Sequence, residues 1–171
     1  MTAKDLWLES IGAISCKNGF IFRRNWTVKA KGLYTFDIAA NGAALLTTHG
    51  LSTSVFEACA FYALNTNCYG IYLSNADGDE AYSSTAFISC SVGAPTGLFI
   101  SAPDSNGLSF INPHFEDCSG RYIHINFTGT AETRGQIIFY SPSFATLPAT
   151  MTEAIYIQDA SEVIFKGLQR S

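Results

Sequence analysis

The sequence predicts an all-β fold, a right-handed parallel β-helix of about five or six coils formed by one chain. Three observations support this prediction. A short Phe-led segment recurs along the chain, a second apolar segment lies between its copies, and both alternate with the period of a half-buried strand. Short stacked strands joined by loops of variable length are typical of a solenoid, in which each coil packs on its neighbours.

The Phe-led segment is the clearest repeat in the chain. It recurs roughly every 25 residues as "FEACAF", "FISCSV", "FINPHF" and "FYSPSF", with a degenerate last copy, "FKGLQR". Successive coils of a parallel β-helix lie about 4.8 Å apart, so equivalent residues come to lie above one another. We therefore expect one internal stack formed by the leading residues, Phe56, Phe87, Phe110, Phe139 and Phe165.

The middle of each Phe-led segment predicts a corner. In the four complete copies the third residue is small and the fourth is Cys or Pro. Pro cannot donate to a strand ladder, and a small side chain fits inside a tight bend. Each copy is therefore expected to end one strand, turn and begin the next. The small residues at this turn are Ala58, Ser89, Asn112 and Ser141.

The second apolar segment occurs as "GIYL", "GLFI", "YIHI" and "AIYI". Its period-2 alternation places one set of side chains inside the coil. That inward set is aliphatic and comprises Ile71, Leu73, Leu98, Ile100, Ile123, Ile125, Ile155 and Ile157. The residues between the inward pairs face outward, and we call them the aromatic ribbon: Tyr72, Phe99, His124 and Tyr156.

A contiguous column of outward aromatic residues indicates an interaction surface. Three interpretations are open: a carbohydrate-binding groove, a subunit interface, and coverage by the chain's own loops. In the second case Ile88, Ile111 and Tyr140 would add another apolar column. The histidines His114 and His124 are interpreted first as packed or hydrogen-bonded residues rather than as catalysts.

Length and composition limit the classes of function. A chain of 171 residues suits a single domain, residues 1–171, with clear coils at 42–170 and a less certain first coil or N-terminal cap at 1–41. The net charge of −4 and the ten Lys and Arg argue against nucleic acid as a partner. No apolar run reaches the roughly 18 residues of a membrane span, and the start, "MTAKDLWLES", lacks the pattern of a signal peptide. We therefore expect no membrane partner.

The cysteines are odd in number and form no C-x-x-C pair. This spacing fits neither a zinc site nor a disulfide framework, so at least one thiol stays unpaired. We interpret them as small buried hydrophobic residues: Cys16, Cys59, Cys68, Cys90 and Cys118. The sequence predicts no metal site and no cofactor.

A strand such as "GIYL" followed by "FISCSV" or "FINPHF" resembles the right-handed β-helix of the pectate-lyase-like superfamily. The Ser, Asn and Thr content and the short loops most resemble bacteriophage tailspike and capsule-depolymerase proteins. This resemblance implies a segment of a longer homotrimeric spike on the virion tail, acting outside the cell at the host surface. It also implies recognition of a bacterial capsule or lipopolysaccharide. If the protein is an enzyme, the resemblance implies that it degrades this polysaccharide as a glycoside hydrolase or a lyase.

The alternative is a noncatalytic structural or receptor-binding segment of such a spike, because the motifs are specific for the fold and weak for the function. A different class is a trimer-forming scaffold that binds no ligand.

Carboxylates in one column of the coil are the candidates for catalysis. Asp77 and Asp104 follow the leading glycines of their strands at the same distance, so we expect them to stack at one corner of adjacent coils. Polysaccharide hydrolysis uses two carboxylates, about 5 Å apart for retention or about 6.5–9.5 Å apart for inversion. Weaker candidates are Asp79, Glu80 and Glu116. Asp before Gly or Ser is also an ordinary turn residue, which is the competing interpretation.

Glu57 has Ile88 and Ile111 at the equivalent positions of later coils. We therefore predict that Glu57 has no acidic partner within the chain.

Overall fold

The computed structural model describes residues 5–23, 27–74, 82–101, 105–127, 135–145, 148–149, 151–160 and 162–170. The regular elements of this part of the chain are all β-strands, and it contains no helix long and apolar enough to cross a membrane. In chain order they are β1 Asp5–Glu9, β2 Gly12–Ile14, β3 Phe20–Phe22, β4 Thr27–Lys31, β5 Tyr34–Phe36, β6 Ala43–Thr47, β7 Val55–Glu57, β8 Ala60–Tyr62, β9 Tyr69–Leu73, β10 Tyr82–Ile88, β11 Ser91–Gly93, β12 Thr96–Ile100, β13 Ser105–Ile111, β14 His114–Phe115, β15 Arg121–Asn126, β16 Gln136–Tyr140, β17 Ser143–Phe144, β18 Ile155–Gln158, β19 Glu162–Lys166 and β20 Gln169–Arg170.

These strands form three parallel sheets, and each of the first six coils contributes one strand to each sheet, while the last contributes β19 and β20 to sheets A and B. Sheet A has the order β1-β4-β7-β10-β13-β16-β19, sheet B the order β2-β5-β8-β11-β14-β17-β20, and sheet C the order β18-β15-β12-β9-β6-β3. Every third strand therefore pairs with its equivalent in the next coil, always in parallel. The prediction of an all-β parallel solenoid is confirmed.

The N-terminal region belongs to the same sheets. Strand β3, which lies in "GFIF", pairs with β6 in sheet C, and β1 pairs with β4 in sheet A. The first coils lack the Phe signature because Leu8 and Ala30 occupy the inward position that Phe56 takes in the third coil.

The predicted Phe stack is present and runs through the interior behind sheet A; we call it the Phe ladder. Neighbouring rings lie 4.7, 5.0, 4.8 and 4.7 Å apart between centroids, and their planes are tilted by only 7° to 9°. The spacing matches the rise of about 4.8 Å between strands, so each ring stacks on the equivalent ring of the next coil. The four rings from Phe56 to Phe139 are buried, and Phe165 is half-buried.

The corner between sheets A and B lies at the small residue, as predicted, but the reason differs from the one expected. The side chains of Ala58 and Asn112 are exposed rather than enclosed in the bend. This column of the solenoid has left-handed backbone, with φ of 53° at Ser10, 62° at Gly32, 49° at Ala58, 51° at Ser89, 49° at Asn112, 47° at Ser141 and 66° at Gly167. Gly and Asn tolerate this conformation best, and the other positions of the column carry the short side chains of Ala or Ser.

The inward aliphatic side chains of sheet C are buried from Ile71 to Ile125. Ile155 and Ile157 continue the same columns in register, but they are 38% and 42% exposed, so the expectation of burial is wrong for this pair. Both belong to β18, the edge strand of sheet C nearest the C-terminus, and no described strand packs on its free edge.

The cysteines are all free thiols. Cys59, Cys68, Cys90 and Cys118 are buried, as predicted, whereas Cys16 is only half-buried. Burial raises the pKa of the Cys118 thiol to about 11, so this group stays protonated at neutral pH. Cys59, Cys68, Cys90 and Cys118 therefore fill the core of the solenoid.

Candidate functional site

The predicted catalytic pair lies outside the described residues. This applies to Asp77 and Asp104 and also to the weaker candidates Asp79 and Glu80. Their stacking at one corner of adjacent coils stays a prediction.

The aromatic ribbon forms on the outer face of sheet C, with its members directly in register. Ring centroids lie 4.9 Å apart between Tyr72 and Phe99, 4.6 Å between Phe99 and His124, and 5.0 Å between His124 and Tyr156. The rings are tilted by 55°, 58° and 86°, and each is half-buried. Each ring therefore covers part of its neighbour and leaves mainly edges to solvent.

Tyr69 belongs to the same patch and was not predicted. Its ring lies 4.9 Å from that of Tyr72 and 5.4 Å from that of Phe99. Its position directly before the strand-leading Gly70 is the sequence signal that marks it. Burial raises the pKa of the Tyr69 hydroxyl, with a smaller contribution from Tyr72. The Tyr69 hydroxyl is thus protonated at neutral pH.

A cation borders the ribbon at its C-terminal end. Arg121 pairs with Glu153 at 2.6 Å, donates to Nδ1 of His124 at 3.3 Å, and lies 4.8 Å from the ring centroid of Tyr156. Burial lowers the pKa of His124, and the neighbouring Arg121 lowers it further. The imidazole is therefore neutral at pH 7, as the contact with an arginine donor requires.

Glu116 lies on sheet B, away from the ribbon. It accepts a hydrogen bond from the hydroxyl of Tyr62, and its other oxygen lies 3.6 Å from Nε2 of His114. The ring of Tyr62 reaches Glu116 across Gly93, where an added Cβ would come within 2.6 Å of Tyr62 Cδ1. Burial, followed by the hydrogen bond and charge of Glu116, raises the pKa of Tyr62 to about 12.

A groove on the outer face of sheet A was missed by sequence reasoning. It encloses about 520 Å³ and is lined by Trp7, Leu8, Glu9, Lys29, Ala30, Lys31, Val55 and Glu57. The side chain of Trp7 is 72% exposed, and Nζ of Lys29 lies 4.5 Å from its ring centroid. A volume between roughly 300 and 1,000 Å³ is typical of small-molecule sites. An exposed aromatic plane bordered by charged groups is suited to a ligand that is apolar on one face and polar at its edges.

The outward column of side chains that contains Glu57 corrects the prediction that Glu57 has no acidic partner within the chain. It extends backward through Lys31 to Glu9, so Glu57 does share its column with an acid, two coils away. Carboxylates two coils apart are separated by roughly twice 4.8 Å, close to the upper end of the inverting range of about 6.5–9.5 Å. Lys31 lies between them with its Nζ 3.2 Å from Glu57, so this carboxylate is held as an ion pair. The arrangement is therefore better suited to hydrogen bonding than to acid–base chemistry.

Among the described residues no three His, Cys, Asp or Glu side chains gather as a set that could hold a metal ion. Comparisons of this chain with protein-family models, curated proteins and solved structures find no match. The chain is thus placed by its architecture alone, as a parallel β-solenoid of the general β-helix type.

Proposed function

We propose that this chain is a β-solenoid segment of a bacteriophage tailspike-type protein that recognises a bacterial surface polysaccharide, capsule or lipopolysaccharide. In this proposal it acts as part of a homotrimer on the virion tail, outside the host cell. The observation that carries the proposal is the groove around Trp7 on sheet A.

Trp7 supplies the apolar plane on which a sugar ring can pack through its C–H face. The ring is wide, rigid and largely exposed, so binding a ligand there removes apolar surface from water at little conformational cost. Lys29 and Lys31 with Glu9 and Glu57 supply donors and acceptors within the same groove. Sugars offer hydroxyls in a ring around an apolar face, so their chemistry matches this combination.

The flat surface around the groove favours a polymer over a small metabolite. Strands β1, β4 and β7 lie side by side in sheet A, and the groove crosses all three. It is open along the face of the sheet rather than closed into a cavity. A chain of sugars can therefore extend from Trp7 in β1 across β4 to β7.

Binding of capsule and lipopolysaccharide preparations from several bacterial hosts, measured by titration calorimetry, tests the proposal. Aromatic contacts contribute about 0.5–1.5 kcal/mol beyond their buried area, so we expect Trp7→Ala to weaken binding about tenfold, equivalent to about 1.4 kcal/mol. The matched control is Phe36→Ala, because Phe36 is 60% exposed but lies on sheet B. Its affinity should equal that of the unaltered chain.

Two results would contradict the proposal: no polysaccharide binds the folded chain, or Trp7→Ala binds as tightly as the unaltered protein. Cleavage is measured separately, as new reducing ends or as absorbance of unsaturated uronates. Asp77→Asn combined with Asp104→Asn is expected to abolish cleavage, and full activity of this double variant would exclude the pair as catalytic.

A second function is favoured by the geometry of the aromatic ribbon, namely a noncatalytic packing surface between subunits. Sugar binding needs open ring faces, whereas the tilted rings of Tyr72, Phe99 and His124 cover one another. An apolar surface of edges, with the ion pair of Arg121 and Glu153 at its rim, is typical of a protein–protein interface.

Analytical sedimentation separates this interface from a sugar-binding ribbon. We expect a trimer for the unaltered chain and monomers after Tyr72→Ser with Phe99→Ser. Trp7→Ala is the control and should sediment as the trimer. If the double variant keeps its oligomeric state, the ribbon is not the subunit interface.

A further inference from the structure

The outer face of sheet B carries a cluster of serine, histidine and glutamate that the proposed polysaccharide site does not use. His114 in β14 and Ser143 in β17 face each other in register, and Oγ of Ser143 lies 2.7 Å from Nδ1 of His114. On the other side of the same ring, Nε2 lies 3.6 Å from Oε2 of Glu116. A nucleophile, a base and a carboxylate thus follow one another across two neighbouring coils.

The hydrogen bond with Ser143 determines which nitrogen of His114 carries the proton. If the Ser143 hydroxyl donates to Nδ1, the proton of the neutral imidazole resides on Nε2 and points to the carboxylate. Tyr62 donates to the other oxygen of Glu116 from the opposite side. The raised pKa of Tyr62 keeps this donor protonated throughout the neutral range. One oxygen of Glu116 is therefore held by the Tyr62 hydroxyl, while the other lies 3.6 Å from the imidazole, within reach after a small movement of either side chain.

The cluster is reachable from solvent. The side chains of His114 and Glu116 are 38% and 34% exposed. A hollow of about 400 Å³ is lined by residues that follow Glu116 and Ser143 in the chain, namely Asp117, Cys118, Ser119, Ala145 and Pro148. Ser143 itself is half-buried, so a small ester can reach its hydroxyl from solvent.

We infer that Ser143 is the nucleophile of an acyl-transfer site for carboxylic esters, with His114 as the general base and Glu116 as its positioning residue. Ser143 Oγ forms a bond to the ester carbonyl carbon while its proton passes to Nδ1 of His114. The ester C–O bond then breaks, and the alcohol leaves with that proton. Water, deprotonated by His114, attacks the acyl-serine and releases the carboxylic acid, which restores the serine.

The backbone around Ser143 predicts slow turnover. The amide of Ser143 donates to Pro113 at 2.9 Å, and the amide of Ala145 donates to Phe115 at 2.8 Å. Both groups belong to the ladder between coils and cannot turn toward an oxyanion. Removing a single oxyanion donor costs about 10²–10³ in kcat in a serine hydrolase. Because an oxyanion forms in both acylation and deacylation, we expect both steps to be slow; an ester with a good leaving group should acylate Ser143 faster than the acyl-serine hydrolyses.

Acetylation by p-nitrophenyl acetate, followed by peptide mass spectrometry of the unaltered chain, tests the inference. We expect a burst of nitrophenolate close to one equivalent and an acetyl group on Ser143. Ser109 is the matched control, since it is a half-buried serine on an outer strand position of sheet A. Acetylation of Ser143 no faster than that of Ser109 would overturn the inference, and this comparison needs no variant.

Variants then separate catalysis from structure. General-base catalysis contributes about 10²–10⁴ in rate, so His114→Ala should lower acetylation of Ser143 at least 100-fold, and added imidazole should restore part of it. Glu116→Gln should lower it less, and imidazole should not rescue that variant because the native base is still present. Unchanged thermal midpoints verify folding. Labelling of Ser143 that does not depend on His114 would contradict its role as the base.

Discussion

The Phe ladder and the aromatic ribbon are two columns of rings in the same coils, one inside sheet A and one outside sheet C. Inside, five identical residues stack almost parallel, with planes within 9° at spacings of 4.7 to 5.0 Å. Outside, the residue type changes at almost every coil and the rings tilt by 55° to 86° at similar distances. The spacing of the coils is thus common to both columns, and the difference lies in what surrounds them.

The interior is closed on all sides, so from Phe56 to Phe165 one ring type repeats in one orientation, whereas Leu8 and Ala30 take this position in the first two coils. The exterior is open on one side, so rings of different size can tilt outward until their edges meet. A core position is therefore recognised by repetition and a surface position by variation. The aromatic ribbon departs from this rule only in remaining aromatic, which makes it a candidate surface for a partner.

The largest effect is expected from opening the Phe ladder. Phe87→Ala leaves a cavity between two stacked rings and should lower the free energy of unfolding by about 3–5 kcal/mol. Phe99→Ala is the matched change in the ribbon and should cost about 1 kcal/mol, the size of an aromatic pair contact. Urea unfolding followed by circular dichroism measures both. Equal costs for the two variants would show that the ribbon is as enclosed as the core in the assembled protein.

A smaller effect, an increase in the free energy of unfolding, is expected from a change at the corner between sheets A and B. Ala58 has φ of 49°, a conformation that glycine adopts at no steric cost. Left-handed backbone costs a residue with a Cβ about 1–2 kcal/mol, while glycine loses more backbone entropy on folding. Ala58→Gly should therefore raise the free energy of unfolding by up to about 1 kcal/mol.

Ala60→Gly is the control for that corner, since Ala60 lies in strand β8 outside the left-handed column. This variant should be destabilised. If Ala58→Gly is destabilised as well, backbone strain does not explain the small residues at the corner.

The smallest effect concerns protonation of the ribbon. Because the pKa of His124 is lowered in the folded state, the folded chain binds a proton there less readily than the unfolded chain. The stability contributed by neutral His124 is complete above the unfolded pKa, about 6.5, and is lost as pH falls toward the lower folded pKa. His124→Gln should therefore lose less stability than the unaltered chain between neutral and mildly acidic pH. Identical pH profiles in urea unfolding would contradict the assignment.

The core could be predicted from the sequence because it repeats. Phe87 and its equivalents mark one inward column, and the register of the remaining strands follows from it. The corner was located correctly for the same reason, although its cause, left-handed φ at residues such as Asn112, has no signature separate from small size. Ile155 fits the inward pattern, but its exposure depends on which strand lies at the edge of sheet C, and no local pattern reveals that.

The groove and the serine cluster could not be predicted for a different reason. In the first two coils Leu8 and Ala30 replace the Phe signature, so no repeat in the sequence marks Trp7 as an outward residue of sheet A. Ser143 and His114 are close only because they occupy the same outward position in adjacent coils, and a serine and a histidine at a surface position carry no pattern that identifies them. Both sites consist of residues that do not repeat.

The contact of Tyr62 with Glu116 has a consequence for how the solenoid unfolds. In a linear array of coils, stability is ordinarily a sum of terms between adjacent units, so the array can fray one coil at a time. Tyr62 lies in β8 and Glu116 directly after β14, and Gly93 of the intervening strand β11 leaves room for the ring to pass. This hydrogen bond therefore links next-nearest neighbours. It adds a term between non-adjacent coils, so the three coils it spans are expected to open together more often than coils joined by adjacent contacts alone.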